Sequence, residues 1–148
     1  FFNDKHNHHG IDISIATFQP QIGILEYATA KRPLYLCSED GVETLLGDKH
    51  AIGEEFEDGF KFSTLVKKID RDQWLYQMTD GLSDQFGGLD DKRFGRKRMI
   101  QLLSDSTKLD DPLKIKTKFE NIINLLSGDR EQTDDITVIG SKLRPNIS

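Results

Sequence analysis

Apolar and polar positions alternate along the first part of the chain. Over residues 11–18, Ile11, Ile13 and Ile15 fall on one side of an extended backbone and Asp12, Ser14 and Ala16 on the other. This period of two predicts a strand half-buried on its isoleucine side. Gln19-Pro20-Gln21 with Gly23 reads as a turn, and residues 24–30 resume as a second strand, so the pair predicts a hairpin. Pro33 followed by Leu34-Tyr35-Leu36 predicts a third, short strand. Residues 39–60 are rich in glycine and acidic side chains with few apolar anchors, and read as a long surface connection. Residues 62–69 read as a segment pairing at a sheet edge, and Trp74-Leu75-Tyr76-Gln77-Met78 as the most strand-like run of all.

The period then lengthens. Asp90 and Asp91 stand as caps before a helix over residues 93–103, whose inner stripe is Phe94, Met99, Leu102 and Leu103. Asp111 followed by Pro112 is a helix start, a capping side chain ahead of a proline at the first helical position. Ile115, Phe119, Ile122, Ile123 and Leu126 follow at helical spacing, and Gly128 supplies the stop. Residues 136–143 form a last strand that must return to the sheet. Strands first, then two helices, then a returning strand predict an α+β layout rather than alternating βαβ units.

Composition changes this picture little. The chain has 148 residues, enough for one domain with a real core and no disulfides. Its 36% apolar content is low, but the apolar residues cluster into periodic runs. A net charge of −5 with mixed signs disfavours a nucleic-acid partner. One cysteine, Cys37, excludes an internal disulfide and a cysteine-rich zinc site. No apolar stretch approaches the roughly 20 residues that span a bilayer, and no signal peptide is visible. The expectation is a cytoplasmic segment that makes no membrane contact itself, in a parent protein that is free to be membrane-tethered. The opening Phe1-Phe2, without a methionine, reads as the start of a piece cut from something longer.

The chemistry concentrates in two strings. Thr79-Asp80-Gly81 closes the run at residues 74–78, and Asp134-Asp135-Ile136-Thr137 opens the last strand. Neighbouring strands lie about 5 Å apart, so if these two are antiparallel neighbours, Asp80 and Asp134 can grip one cation. Gly81 lets the backbone turn sharply beside them. Asp84 faces the same space if residues 82–85 make a tight or helical turn. Asp134 and Asp135, being adjacent, point to opposite faces of a strand, so only one of them easily joins Asp80. Carboxylate oxygens suit Mg²⁺ or Mn²⁺, and such ions activate water for phosphate ester hydrolysis. The plain alternative is that Asp-Gly is a common turn and Asp-Asp a common loop.

Three stretches together resemble one family. Residues 75–88, Leu-Tyr-Gln-Met-Thr-Asp-Gly-Leu-Ser-Asp-Gln-Phe-Gly-Gly, resemble the TDG segment of SpoIIE-like serine phosphatases, a branch of the metal-dependent PPM protein phosphatases. The Asp-Gln-Phe-Gly-Gly ending resembles the subgroup fused to sensor and two-component proteins. Residues 131–140, Glu-Gln-Thr-Asp-Asp-Ile-Thr-Val-Ile-Gly, resemble the family's closing motif, and residues 26–36, Glu-Tyr-Ala-Thr-Ala-Lys-Arg-Pro-Leu-Tyr-Leu, its central hairpin. The resemblance implies a four-layer αββα fold, two antiparallel sheets flanked by helices, with a Mn²⁺ or Mg²⁺ pair whose hydroxide attacks phosphoserine or phosphothreonine. It implies that Asp80 and Asp134 are metal ligands, that Asp135 stands beside the second, and that Asp84 helps hold a further, weaker metal in some relatives.

The departures are informative. The family places two more metal carboxylates upstream, in a Gly-Asp and an Asp-x-x-Gly-His-Gly motif, and neither is present there; His8-His9-Gly10 lacks the aspartate. Thr29 stands where glycine is usual, and Lys31-Arg32 replaces a small or polar pair. The chain therefore reads as the C-terminal two-thirds of the domain, lacking its N-terminal strands, with weak metal binding and little or no activity alone. The resemblance implies a bacterial signalling protein with upstream sensor modules and a phosphorylated regulatory protein as substrate. A second reading is a non-catalytic phosphatase-like module that binds a partner through the basic run 92–98 or the 39–60 connection. A third is a fragment that forms homodimers through an open sheet edge. His6, His8 and His9 lack a spaced metal partner and read as a solvated loop, residues 54–58 as surface, Trp74 as core, and Cys37 as inert.

Overall fold

The structure is a computed structural model that describes residues 10–55, 59–87, 92–128, 132 and 134–146. The first hairpin forms as the alternation predicts: β1 (Ile13–Gln19) pairs antiparallel with β2 (Ile24–Ala30), with Phe18 opposite Leu25 and Ile13 opposite Ala30. Strand β3 (Leu34–Ser38) follows Pro33, and β4 (Gly41–Leu45) folds back on it across a tight turn. Strand β5 (Leu65–Lys68) pairs with β2, and β6 (Gln73–Met78) pairs with β3. A single helical turn, α1 (Gly81–Asp84), leads into a two-strand ribbon of β7 (Phe86–Gly87) and β8 (Lys92–Arg93). Helices α2 (Gly95–Thr107) and α3 (Pro112–Ser127) precede β9 (Val138–Leu143), which returns to pair antiparallel with β6.

Two sheets result, ordered β1-β2-β5 and β4-β3-β6-β9. Side-chain alternation divides the second sheet between two cores. On one side, Leu34, Leu36, Leu75 and Leu143 meet Leu25 from β2, with Ala16, Phe18 and Tyr27 packed around them. On the other, Tyr35, Cys37, Trp74, Tyr76 and Met78 receive Met99, Leu102 and Leu103 of α2 and Ile115, Phe119 and Leu126 of α3. Strands β3 and β6 are consequently buried on both faces. The αββα expectation is met in its two stacked sheets and in the helical layer on one of them. The outer face of β1-β2-β5 carries no helix among the described residues.

Four details differ from the expectations. Ile11, Ile13 and Ile15 are exposed, and Ser14, Ala16 and Phe18 face inward, because the opposing Leu25 fixes the inner side of the hairpin. The 39–60 connection contains β4. Helix α2 runs to Thr107 and starts after Phe94 without a side-chain cap; Asp90 and Asp91 lie outside the described residues. The last strand begins at Val138, so residues 134–137 form a loop ahead of it. By contrast α3 starts as its sequence dictates: Asp111 Oδ1 accepts from Leu113 N at 2.9 Å and Lys114 N at 3.3 Å, and Pro112 is the first helical residue. Gly128 ends it at φ 48°.

Cys37 is fully buried between sheet and helices, and burial pushes its thiol up to about 12. Since the thiolate is the reactive species, a disulfide reagent at pH 8 should leave the folded chain unlabelled and titrate one thiol after denaturation. Rapid labelling of the native protein would contradict this packing.

Candidate active site

The site begins where β6 and β9 stop pairing as strands. Met78 lies opposite Val138, and beyond it Thr79 continues the match. Its N–H donates to Thr137 O at 3.1 Å, its hydroxyl donates to Asp135 O at 2.7 Å, and the same oxygen accepts from Thr137 N at 2.9 Å. Thr79 thus ties the first string to the second. At Gly81 the two backbones approach so closely that a Cβ would collide with the Asp135 carbonyl. Only glycine fits there, and this accounts for the Asp-Gly pair better than the turn alone. The fold therefore brings Thr79-Asp80-Gly81 and Asp134-Asp135-Ile136-Thr137 together at one rim of the four-stranded sheet.

Asp80 stands at the head of α1, where its carbonyl accepts from Asp84 N at 2.9 Å and from the Ser83 hydroxyl at 2.9 Å. Its carboxylate faces a cation already present in the chain. Arg32 Nη1 lies 3.1 Å from Asp80 Oδ2, and Arg32 Nη2 lies 3.3 Å from Asp12 Oδ2. Asp84 is paired with Arg93 and accepts from Ser83 Oγ at 3.0 Å. The Arg93 hydrogen bond, more than any other influence, holds the Asp84 carboxyl below the usual carboxylate range, with the Ser83 bond and the charge of Arg32 acting the same way. Asp134 and Asp135 are exposed, and Asp134 Oδ1 accepts from its neighbour's N–H at 2.7 Å.

These pairings decide how well the present residues suit a metal pair. Among the described residues, no three His, Cys, Asp or Glu side chains lie close enough together to hold a metal ion. Asp80 and Asp84, two of the expected ligands, each carry an arginine instead. Among the described residues, the donor set at this rim does not fit a two-metal centre.

Of the expected site residues, the structure brings Asp80, Gly81 and Asp135 into one neighbourhood, with Asp134 next in the chain. It turns Asp84 toward Arg93. Arg32, Asp12 and Arg93 were not anticipated as members of this group. Arg32 left a trace as the unusual cation ahead of Pro33, whereas Asp12 and Arg93 left none, since an ion pair between distant residues has no period. The basic run is also engaged: Lys92 and Arg93 form β8, and Arg96 Nη2 donates to Thr44 Oγ1 of β4 at 3.2 Å. His6, His8 and His9 lie outside the described residues, as does part of the acidic segment 54–58.

Comparison with known proteins agrees with this fold. The fold is similar to the SiaA-PP2C domain of Pseudomonas aeruginosa, with 27% identity and a TM-score of 0.70, over 87% of this chain and 50% of that one. It is similar to the phosphatase domain of the cell fate determinant SpoIIE from Bacillus subtilis, with 16% identity and a TM-score of 0.59, over 91% of this chain and 59% of that one. It is also similar to the RsbU and RsbW domains of Rv1364c from Mycobacterium tuberculosis, with 15% identity and a TM-score of 0.61, over 90% of this chain and 36% of that one. The chain thus spans between about a third and three-fifths of the length of these structures. No curated protein matches the sequence. The family model for stage II sporulation protein E matches residues 2–144, and on this match, with the phosphatase-domain fold, the chain belongs to the SpoIIE family.

Proposed function

We propose that the chain is the C-terminal portion of a metal-dependent protein serine/threonine phosphatase domain, working in a parent signalling protein on a phosphorylated regulatory protein. One observation carries the reading. Thr79 and Gly81 lock the Asp80 string against the Asp134 string at the end of β6. Two acidic strings far apart in sequence, held together by the Thr79 hydroxyl and by a close backbone approach that only glycine allows, are more than a turn and a loop that happen to be acidic.

In this reading Asp80 and Asp134 supply part of the donor set for Mn²⁺ or Mg²⁺, and carboxylates upstream in the parent supply the rest. A dication held there would supply the activation of a water for phosphate ester hydrolysis. What this chain contributes is position: β6 and β9 hold the two strings in register, and the short α1 turn fixes the Asp80 backbone. No helix among the described residues is long and apolar enough to cross a membrane.

The test compares two proteins: this 148-residue chain and the parent domain with its upstream residues. Each is assayed for phosphate release from a phosphoserine peptide in millimolar Mn²⁺. The expected result is turnover by the parent domain and none by the chain alone. A silent parent domain would favour the non-catalytic, partner-binding reading, which the arginines on Asp80 and Asp84 also suit. Turnover by the short chain would show that its ligand set is complete without upstream residues.

A further inference from the structure

Arg32 is placed by its backbone rather than by its side chain alone. Lys31, just before it, sits at φ 58°, a left-handed conformation uncommon outside glycine. Lys31 is held there by a hydrogen bond from its N–H to Asp48 O at 2.9 Å. Pro33, just after, restricts Arg32 to extended backbone. Arg32 N also donates to Ala30 O at 2.7 Å. The side chain leaving this fixed corner is mostly buried, at 20% exposure, and spans two carboxylates from different parts of the fold, Asp12 and Asp80. A flexible surface arginine would not be expected to show this combination.

We propose that Arg32 is a built-in counter-ion for Asp80, so that a divalent metal reaches this carboxylate only by displacing the guanidinium. The inference rests on the reading of Asp80 as a metal-binding carboxylate. Its physical basis is simple: a guanidinium 3.1 Å from Asp80 Oδ2 both satisfies that oxygen and repels an incoming cation. The same contact keeps Asp80 from standing as an unpaired charge when no metal is bound. Two unit charges about 4 Å apart in water interact by about 1 kcal/mol, a factor of about five in affinity, and by more where water is partly excluded.

The experiment titrates Mn²⁺ into this chain, with free Mn²⁺ read by electron paramagnetic resonance. The proteins are the native chain, Arg32→Gln, Asp80→Asn and the double variant, with Arg32→Met as a second removal of the charge that keeps the aliphatic stem. Melting curves confirm that each is folded. The expected result is about fivefold or greater tightening of Mn²⁺ binding on loss of the Arg32 charge, and no such gain when Asp80 is also Asn. Unchanged or weaker binding in both Arg32 variants overturns the inference, as does a gain that survives Asp80→Asn. An active parent domain together with unaltered Mn²⁺ affinity in the Arg32 variants would sink the counter-ion while leaving the phosphatase reading intact. A tightened, Asp80-dependent Mn²⁺ site in a parent that releases no phosphate would do the reverse.

Discussion

In the parent domain, Asp80→Asn should lower phosphate release by at least about a hundredfold while leaving the protein folded. Asparagine keeps the shape of aspartate and removes its charge, so the effect isolates the anionic donor. Removing partners that merely orient metal ligands typically costs 10–100-fold, and a direct donor should lie at or beyond the upper end of that range. The structural cost should be small. Asp80 is about half exposed, at 46%, and its pairing with Arg32 is the kind of partly solvated ion pair worth roughly 0–1 kcal/mol. For a domain of this size that corresponds to a melting shift of at most about 2–4 °C. The Thr79 and Gly81 contacts that seat the string are untouched by the change. The measurement is a pair: initial rate on a phosphoserine peptide, and a melting curve for the same preparation. Activity within a few-fold of the unaltered domain would remove Asp80 from the chemistry. A large fall in both readings would mean that Asp80 acts through folding.

The contrast between these two readings mirrors what the sequence could convey. Elements with a strong local signal were legible: the β1–β2 hairpin, the Asp111-Pro112 start of α3 and its Gly128 stop. Each is set by residues within a few positions of one another or by a clear period. The inward side of β1 was not legible, because alternation defines two faces and not which of them meets another layer. Three isoleucines outweigh Ser14, Ala16 and Phe18 by hydrophobicity, yet Phe18 sits opposite the fully buried Leu25, and that pairing decides. Strand β4 was hidden because Gly41 and Glu43 make its composition resemble a loop, while pairing with the buried β3 supplies what propensity lacks. At the site, the acidic strings could be read from residue type and order. Their arginine partners could not, since Arg32 reaches Asp12 and Asp80 only after β2, β3 and β6 have stacked. The sequence therefore conveyed which carboxylates are candidates and not which cations pair with them.

The Asp-Gln-Phe-Gly string offers the largest expected effect on stability. Gly87→Ala should destabilise the chain by about 3–4 kcal/mol, two penalties added together. Gly87 lies at φ 150°, where L-residues are strained, and a Cβ there would run into the Leu126 carbonyl. Strained backbone costs about 1–3 kcal/mol, and forcing an atom into packed structure typically about 1–3 kcal/mol more. The neighbour cannot yield by rotating a side chain, because the obstacle is the backbone of α3, and Leu126 is itself buried in the core beside Phe119. Relief requires moving either the end of α3 or the β7–β8 ribbon, and the ribbon carries Arg93, the partner of Asp84. At about 2–4 °C per kcal/mol for a domain of this size, the melting temperature should fall by roughly 10 °C. Thermal unfolding followed by circular dichroism measures this directly. A variant melting within about 2 °C of the native chain would mean that β7 does not pack against α3 as described.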